Sequence, residues 1–146
     1  MNKAGLTLYQ NKRKFQETPE PAGKVCLSGK DRFSIQEHHA RRLHYDLRLE
    51  MDGVLKSWAM PKGLPVSEGE RRLAVMTEDH PIDYLDFEGI IPEGNYGAGR
   101  VVLWEIGRYQ KVKGSLEEGR LTFNIFGRQH HGKFTLVKPK IGRAHV

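Results

Sequence analysis

From Arg32 onward, apolar and polar residues alternate with a period of two, the spacing of strands with one buried face. Phe33 and Ile35 alternate with Ser34 and Gln36, and residues 43–50, LHYDLRLE, alternate without a break. Asp52-Gly53 then supplies a tight turn, and residues 54–60 read as the returning strand of a hairpin. The same pattern predicts strands over 72–77, 84–88, 99–104, 108–113, 120–126 and 133–138. Pro61, Pro65, Pro81 and Pro92 fall between strands, where a missing N–H does little harm. Only the stretch 114–119 suggests a brief helix or turn, and no window carries a long helix. About eight short strands in so short a chain predict an all-β fold, a closed or nearly closed barrel, because closure removes exposed edges. Residues 1–24, ending in Thr18-Pro19-Glu20-Pro21, read as an extended N-terminal arm, with the barrel domain over 25–146.

Composition narrows the class of partner. The chain has 146 residues, enough for one core. Lys and Arg outnumber Asp and Glu by 24 to 18, a formal charge of +6 that favours polyanions, since each neutralised phosphate releases counterions. Charge alone does not separate nucleic-acid binding from a merely soluble basic surface. No apolar run is long enough to span a membrane, the first residues lack a secretory pattern, and Cys26 is the only cysteine. A cytoplasmic protein with no membrane partner is the expectation.

Chemistry concentrates on the strand 43–50. Alternation puts His44, Asp46, Arg48 and Glu50 on one face at roughly 6–7 Å spacing, with Leu43, Tyr45, Leu47 and Leu49 free to fill the barrel. His38 is expected in a loop that folds back beside His44. Two imidazoles and a carboxylate suit manganese, zinc or another divalent transition metal, and three protein ligands leave positions open for water and substrate. Arg48 beside such a metal attracts an anion, and phosphate matches its fork. The plainer alternative is a charge ladder on a solvated face.

A second cluster, Glu78-Asp79-His80-Pro81 with Tyr84, offers a general acid and a hydroxyl donor, or simply a turn before a strand. The glycines between Gly89 and Gly99 match no phosphate-loop fingerprint and read as turns. His130-His131-Gly132 reads as a hairpin tip, Cys26 as inert, and Trp58 and Trp104 as packing residues within strands.

The blocks FSIQEHHA at 33–40 and LHYDLRLE at 43–50 closely resemble the 3′-phosphoesterase domain of bacterial DNA ligase D. So do Leu55-Lys56-Ser57-Trp58-Ala59, Pro61-Lys62-Gly63, Arg72-Leu73-Ala74-Val75 and Glu78-Asp79-His80-Pro81 with Asp83-Tyr84. Phe87-Glu88-Gly89, Ile91-Pro92, Tyr96-Gly97 and the arm's Arg13 and Thr18-Pro19-Glu20-Pro21 continue the likeness along nearly the whole chain. This resemblance implies a β-barrel with its active site in an outer groove. It implies a manganese-dependent 3′-phosphodiesterase and 3′-phosphomonoesterase that removes a terminal ribonucleoside and then the 3′-phosphate during end joining. Zn2+ or Co2+ are further candidates. It implies His38, His44 and Asp46 as metal ligands, and Arg48, His80 and Tyr84 as catalytic and phosphate-binding residues. Gln36, Arg13, Glu20, Lys62 and Arg72 would assist at the substrate. The partners would be DNA primer–templates or RNA/DNA 3′ ends and a separate ligase and polymerase, this chain being a stand-alone version. Two rivals stay open: a non-catalytic nucleic-acid-binding barrel, and a phosphatase for small phosphate esters.

Overall fold

The computed structural model of the chain describes residues 3–23, 30–138 and 144–145. It is mainly β. The strands are β1 (Arg32–His39), β2 (Leu43–Met51), β3 (Val54–Met60), β4 (Leu73–His80), β5 (Gly89–Ile91), β6 (Gly99–Ser115), β7 (Arg120–Gly127), β8 (His131–Val137) and β9 (Ala144–His145). One antiparallel sheet runs β1-β2-β3-β4-β9-β8-β7-β6-β5, and β6 also pairs with β1, so the sheet curls into a barrel. The seam between β4 and β8 is made by the two-residue β9. Asp52 and Gly53 have φ of 56° and 79°, the two positive values that the β2–β3 hairpin turn requires.

The inner face is apolar. Phe33, Ile35, Leu47, Leu49, Trp58, Met60, Phe123 and Ile125 pack into one buried cluster. Each such side chain contributes about 1.5–3 kcal/mol by leaving water. A second cluster of Tyr9, Leu55, Tyr84, Leu85, Phe87, Ile91 and Val101 forms outside the sheet, where the N-terminal arm and the loop after β4 cover it.

Several expectations need correction. The arm is not simply extended: a 3-10 turn (Lys3–Leu6) leads into helix α1 (Thr7–Asn11), which seats Tyr9 in the outer cluster. Burying that ring is what holds so short a helix, which would be marginal alone. His38 lies in no loop; it belongs to β1, directly opposite His44. The segment 84–88 is not a strand, because Ile82–Tyr84 forms a 3-10 turn after Pro81 and the chain bends at Leu85 to Phe87. The strands expected at 99–104 and 108–113 are one bent strand, β6. Gly107 does not break it, because a Cβ there would lie 2.0 Å from the Phe126 carbonyl oxygen; the glycine lets β7 pair closely. Leu43, expected inside, is 47% exposed at the strand end, and Trp104, expected to pack, is 38% exposed. Cys26 lies outside the described residues. Among the described residues, no helix is long and apolar enough to cross a membrane.

Candidate metal and phosphate site

The outer faces of β1 and β2 form a two-by-three array, in which register sets His38 opposite His44, Gln36 opposite Asp46 and Ser34 opposite Arg48. This face is not solvated: Asp46, Arg48 and Glu50 are all buried. The plain charge ladder is thereby excluded for Asp46 and Arg48.

One ligand atom from each of His38, His44 and Asp46 lies within 4.8 Å of the others. The ring bonding tests whether the three residues suit a metal. His38 Nε2 sits 2.7 Å from the Gly97 carbonyl oxygen and Nδ1 3.2 Å from Asp46 Oδ2. His44 Nδ1 sits 3.2 Å from the Arg42 carbonyl oxygen and Nε2 3.2 Å from Asp46 Oδ1. Each imidazole thus has an acceptor at both nitrogens. A neutral ring has only one N–H, so an imidazole that donates to its carbonyl keeps a lone pair on the nitrogen facing Asp46. With both outer N–H groups on carbonyls, the two inner nitrogens could offer lone pairs to one metal, the arrangement usual for ligating histidines. The donor set of two nitrogens and a carboxylate fits a divalent transition metal. Burial raises the Asp46 pKa, but Arg48, with Nη2 3.6 Å from Oδ2, and the two imidazoles outweigh it and hold the carboxyl far below its usual range. The same carboxylate raises the His44 pKa.

Beside the triad, Arg48 Nε donates to Gln36 Oε1 at 3.0 Å, and Gln36 Nε2 donates to the carbonyls of Tyr84 and Phe87. That relay ties the guanidinium to the loop after β4. Arg48 also lies over the Tyr84 ring. His80 is buried; Nδ1 is 2.9 Å from the Glu78 carbonyl oxygen, so it carries the proton, while Nε2 faces Arg13 Nη2 at 3.3 Å and accepts. Burial, then Arg48 and Arg13, push its pKa well below the ordinary histidine value. His80 is therefore a neutral acceptor at Nε2, and its single proton is engaged by the backbone.

The arm completes the pocket. Arg13 Nε donates to Glu20 Oε2 at 2.9 Å and Nη1 to Glu78 Oε2 at 3.1 Å, while the Tyr84 hydroxyl donates to Glu20 Oε2 at 2.7 Å. Lys12 joins Glu78 at 3.1 Å, and Lys12 and Arg13 both lie over the Tyr96 ring. Arg13, Glu20, Gln36, Arg48, His80 and Tyr84 thus form one connected network beside His38, His44 and Asp46. Lys62 and Arg72 are elsewhere, on the loop between β3 and β4, where Arg72 bonds the Lys62 carbonyl and Glu70. Glu78, Thr18 and Ser57 also join the network; the sequence named them within longer blocks and gave none of them a role. Glu78 stood beside His80, but only the arm's Lys12 and Arg13 reveal its part.

A barrel that sets two imidazoles and a carboxylate, His44 half-buried and the other two buried, beside an arginine suits the binding of a metal and a phosphate, and the family comparison gives the class. The model of the DNA ligase D 3′-phosphoesterase domain matches residues 36–138. The chain is 48% identical over 146 residues to the multifunctional non-homologous end joining protein LigD of Mycolicibacterium smegmatis, covering 92% of this chain and 19% of that protein. It is 46% identical over 142 residues to the protein of the same name from Pseudomonas aeruginosa, covering 93% of this chain and 17% of that protein. The LigD of Mycobacterium tuberculosis is 46% identical over 137 residues. This chain spans less than a fifth of the length of these relatives. The chain belongs to the DNA ligase D 3′-phosphoesterase domain family.

Proposed function

We propose that this domain is a manganese-dependent phosphoesterase that removes a 3′-terminal ribonucleoside and then the 3′-phosphate from nucleic-acid strands in end-joining repair. Charge balance is the observation that carries the reading. In the pocket, Lys12, Arg13 and Arg48 offset Asp46, Glu20 and Glu78 one for one. A divalent ion on His38, His44 and Asp46 tips that balance to net positive, which suits a phosphate dianion.

When bound, the ion acts as Lewis acid and template for a non-bridging phosphate oxygen. Arg48, fixed by Gln36, directs its remaining N–H groups at the phosphate beside the ligands, where charge on equatorial oxygens needs stabilisation. His80 holds Arg13 through its Nε2 lone pair and so orients a second guanidinium. Tyr84 reaches the phosphate by exchanging its bond to Glu20 for one to a phosphate oxygen. Lys62 and Arg72 act, in this reading, on the strand leading away from the pocket. In this reading the chain divides into an arm over 1–24, whose Arg13 and Glu20 close the pocket, and a barrel domain over 25–146. The setting is the cytoplasm, with a ligase and polymerase as partners.

The test is a 5′-labelled primer–template ending in one ribonucleotide, incubated with and without manganese beside His44→Ala. Stepwise appearance of 3′-phosphate and then 3′-hydroxyl product, lost without metal or His44, supports the reading. Salt-sensitive binding with no product under any divalent metal sinks it.

A further inference from the structure

Trp104 stands out among the aromatic side chains because it is exposed and yet held in place. Its ring is 4.4 Å from the His130 ring, inclined by 34°, and 5.5 Å from the Tyr45 ring. A register shift between β1 and β6 at Ile35/Gln36 leaves Trp104 as an extra residue, between Leu103 opposite Gln36 and Glu105 opposite Ile35. Such a bulge re-aims a side chain.

The His130 half of the stack is fastened by a buried carboxylate. Glu105, 1% exposed, accepts from the backbone N–H groups of Arg128, Gln129 and His130 at 2.6, 2.9 and 2.8 Å. It also bonds His130 Nδ1 at 2.7 Å. Burial raises its pKa, but the His130 ring and the surrounding N–H groups outweigh that and bring it down to about 2. Gly127 makes room, since a Cβ there would lie 2.5 Å from the Glu105 carboxyl carbon. A fold that commits a buried carboxylate and a glycine to one loop has fixed its tip before any ligand arrives.

The location connects this stack to the pocket. Tyr45 follows His44 on β2 and its hydroxyl donates to Glu37, opposite it on β1. On β2 the proposed ligands His44 and Asp46 lie on the outer face and Tyr45 packs against the inner cluster, while exposed Arg41 and Arg42 stand on the rim, in the β1–β2 turn just before them. We propose that Tyr45, Trp104 and His130 form a stacking platform for a nucleobase of an unpaired strand, whose phosphates cross the rim at Arg41 and Arg42. This rests on the phosphoesterase reading for its substrate class. Every base has a π-face, so such a platform grips an unpaired strand with little regard to sequence.

Two tryptophans give the test a direct signal, because Trp58 is 2% exposed and Trp104 is 38% exposed. A short single-stranded oligodeoxynucleotide with a 3′-hydroxyl is titrated into the full chain in a metal chelator. Stacking quenches tryptophan fluorescence in the wild type but not in Trp104→Phe, which keeps a ring in place. By anisotropy, Trp104→Ala weakens binding roughly 5- to 100-fold, whereas Arg41→Ala and Arg42→Ala each flatten the salt dependence. Quenching that persists in Trp104→Phe, unchanged affinity in a folded Trp104→Ala, or binding of duplex alone overturns the platform. If 3′-phosphates are hydrolysed but binding ignores Trp104, the platform fails and the phosphoesterase reading stands. Trp104-dependent binding without hydrolysis does the reverse.

Discussion

The two faces of β2 are both buried, and opposite physics buries them. Leu47 and Leu49 vanish into the barrel because water rejects them. Asp46 and Arg48 vanish under the arm and the loop after β4, where every charge must meet a partner or incur several kcal/mol of desolvation. The inner face is non-directional and tolerates any apolar group of suitable shape. The outer face is a chain of directed bonds, Asp46 to Arg48 to Gln36 to the Tyr84 and Phe87 carbonyls, in which each member is specified by the next. One strand thus separates what holds the fold from the side chains of the proposed site.

Neighbouring substitutions on the two faces sharpen that contrast most. Arg48→Ala removes a guanidinium aimed at the proposed phosphate, so turnover should fall about 10²–10³-fold while metal stays bound. Leu47→Ala leaves a cavity and should lower stability by about 2–5 kcal/mol, with turnover per folded molecule retained below its melting transition. Steady-state kinetics and urea unfolding on the same two proteins check both. Undiminished turnover in Arg48→Ala removes the role given to that residue.

The inner face was legible because alternation is local: Phe33, Ile35, Leu47 and Leu49 announce their side within a few residues. His44, Asp46 and Arg48 were legible on one face for the same reason. What the pattern missed depends on long-range contacts. Glu78 and Glu20 acquire their meaning only when Arg13 arrives from 65 residues upstream of Glu78. Tyr84 was misread as a strand residue because Pro81 starts a 3-10 turn whose Tyr84 ring packs on Tyr9 and His80. Trp104, expected as a packing residue within a strand, does meet Tyr45 and His130, but its 38% exposure follows from a one-residue bulge that has no local signature in an apolar run.

Metal acts on one face alone and provides the next test. A ligand that binds only the folded state stabilises it by about 2.7 kcal/mol at a hundredfold excess over Kd. Manganese should therefore raise the melting temperature of the wild type and of Leu47→Ala by comparable free energies. It should leave His44→Ala unshifted. An equal shift in His44→Ala would detach the triad from the metal and return its bonding to a purely structural account.

A smaller effect follows from pH. His80 is kept neutral by burial and by Arg48 and Arg13, so its folded pKa lies well below the unfolded value near 6.5. The unfolded chain then binds more protons below that value. Stability from this group is fully present above pH 6.5 and is lost as pH falls toward the folded pKa. Denaturant unfolding at falling pH should show His80→Asn losing less stability than the wild type over that window. Parallel losses would mean that other groups carry the acid sensitivity.

The smallest test concerns a group that the outer face leaves unanswered. Ser34 is opposite Arg48 on β1, fully buried, and its Oγ has no hydrogen-bond partner among the described residues. An unsatisfied buried hydroxyl costs about 1–3 kcal/mol, and alanine fits the same space without it. Ser34→Ala should therefore stabilise the fold, by about 1 kcal/mol, with turnover near that of the wild type. If Ser34→Ala instead destabilises the protein, Oγ has a partner in solution, and a water beneath Arg48 becomes part of the directed network that distinguishes the outer face from the inner.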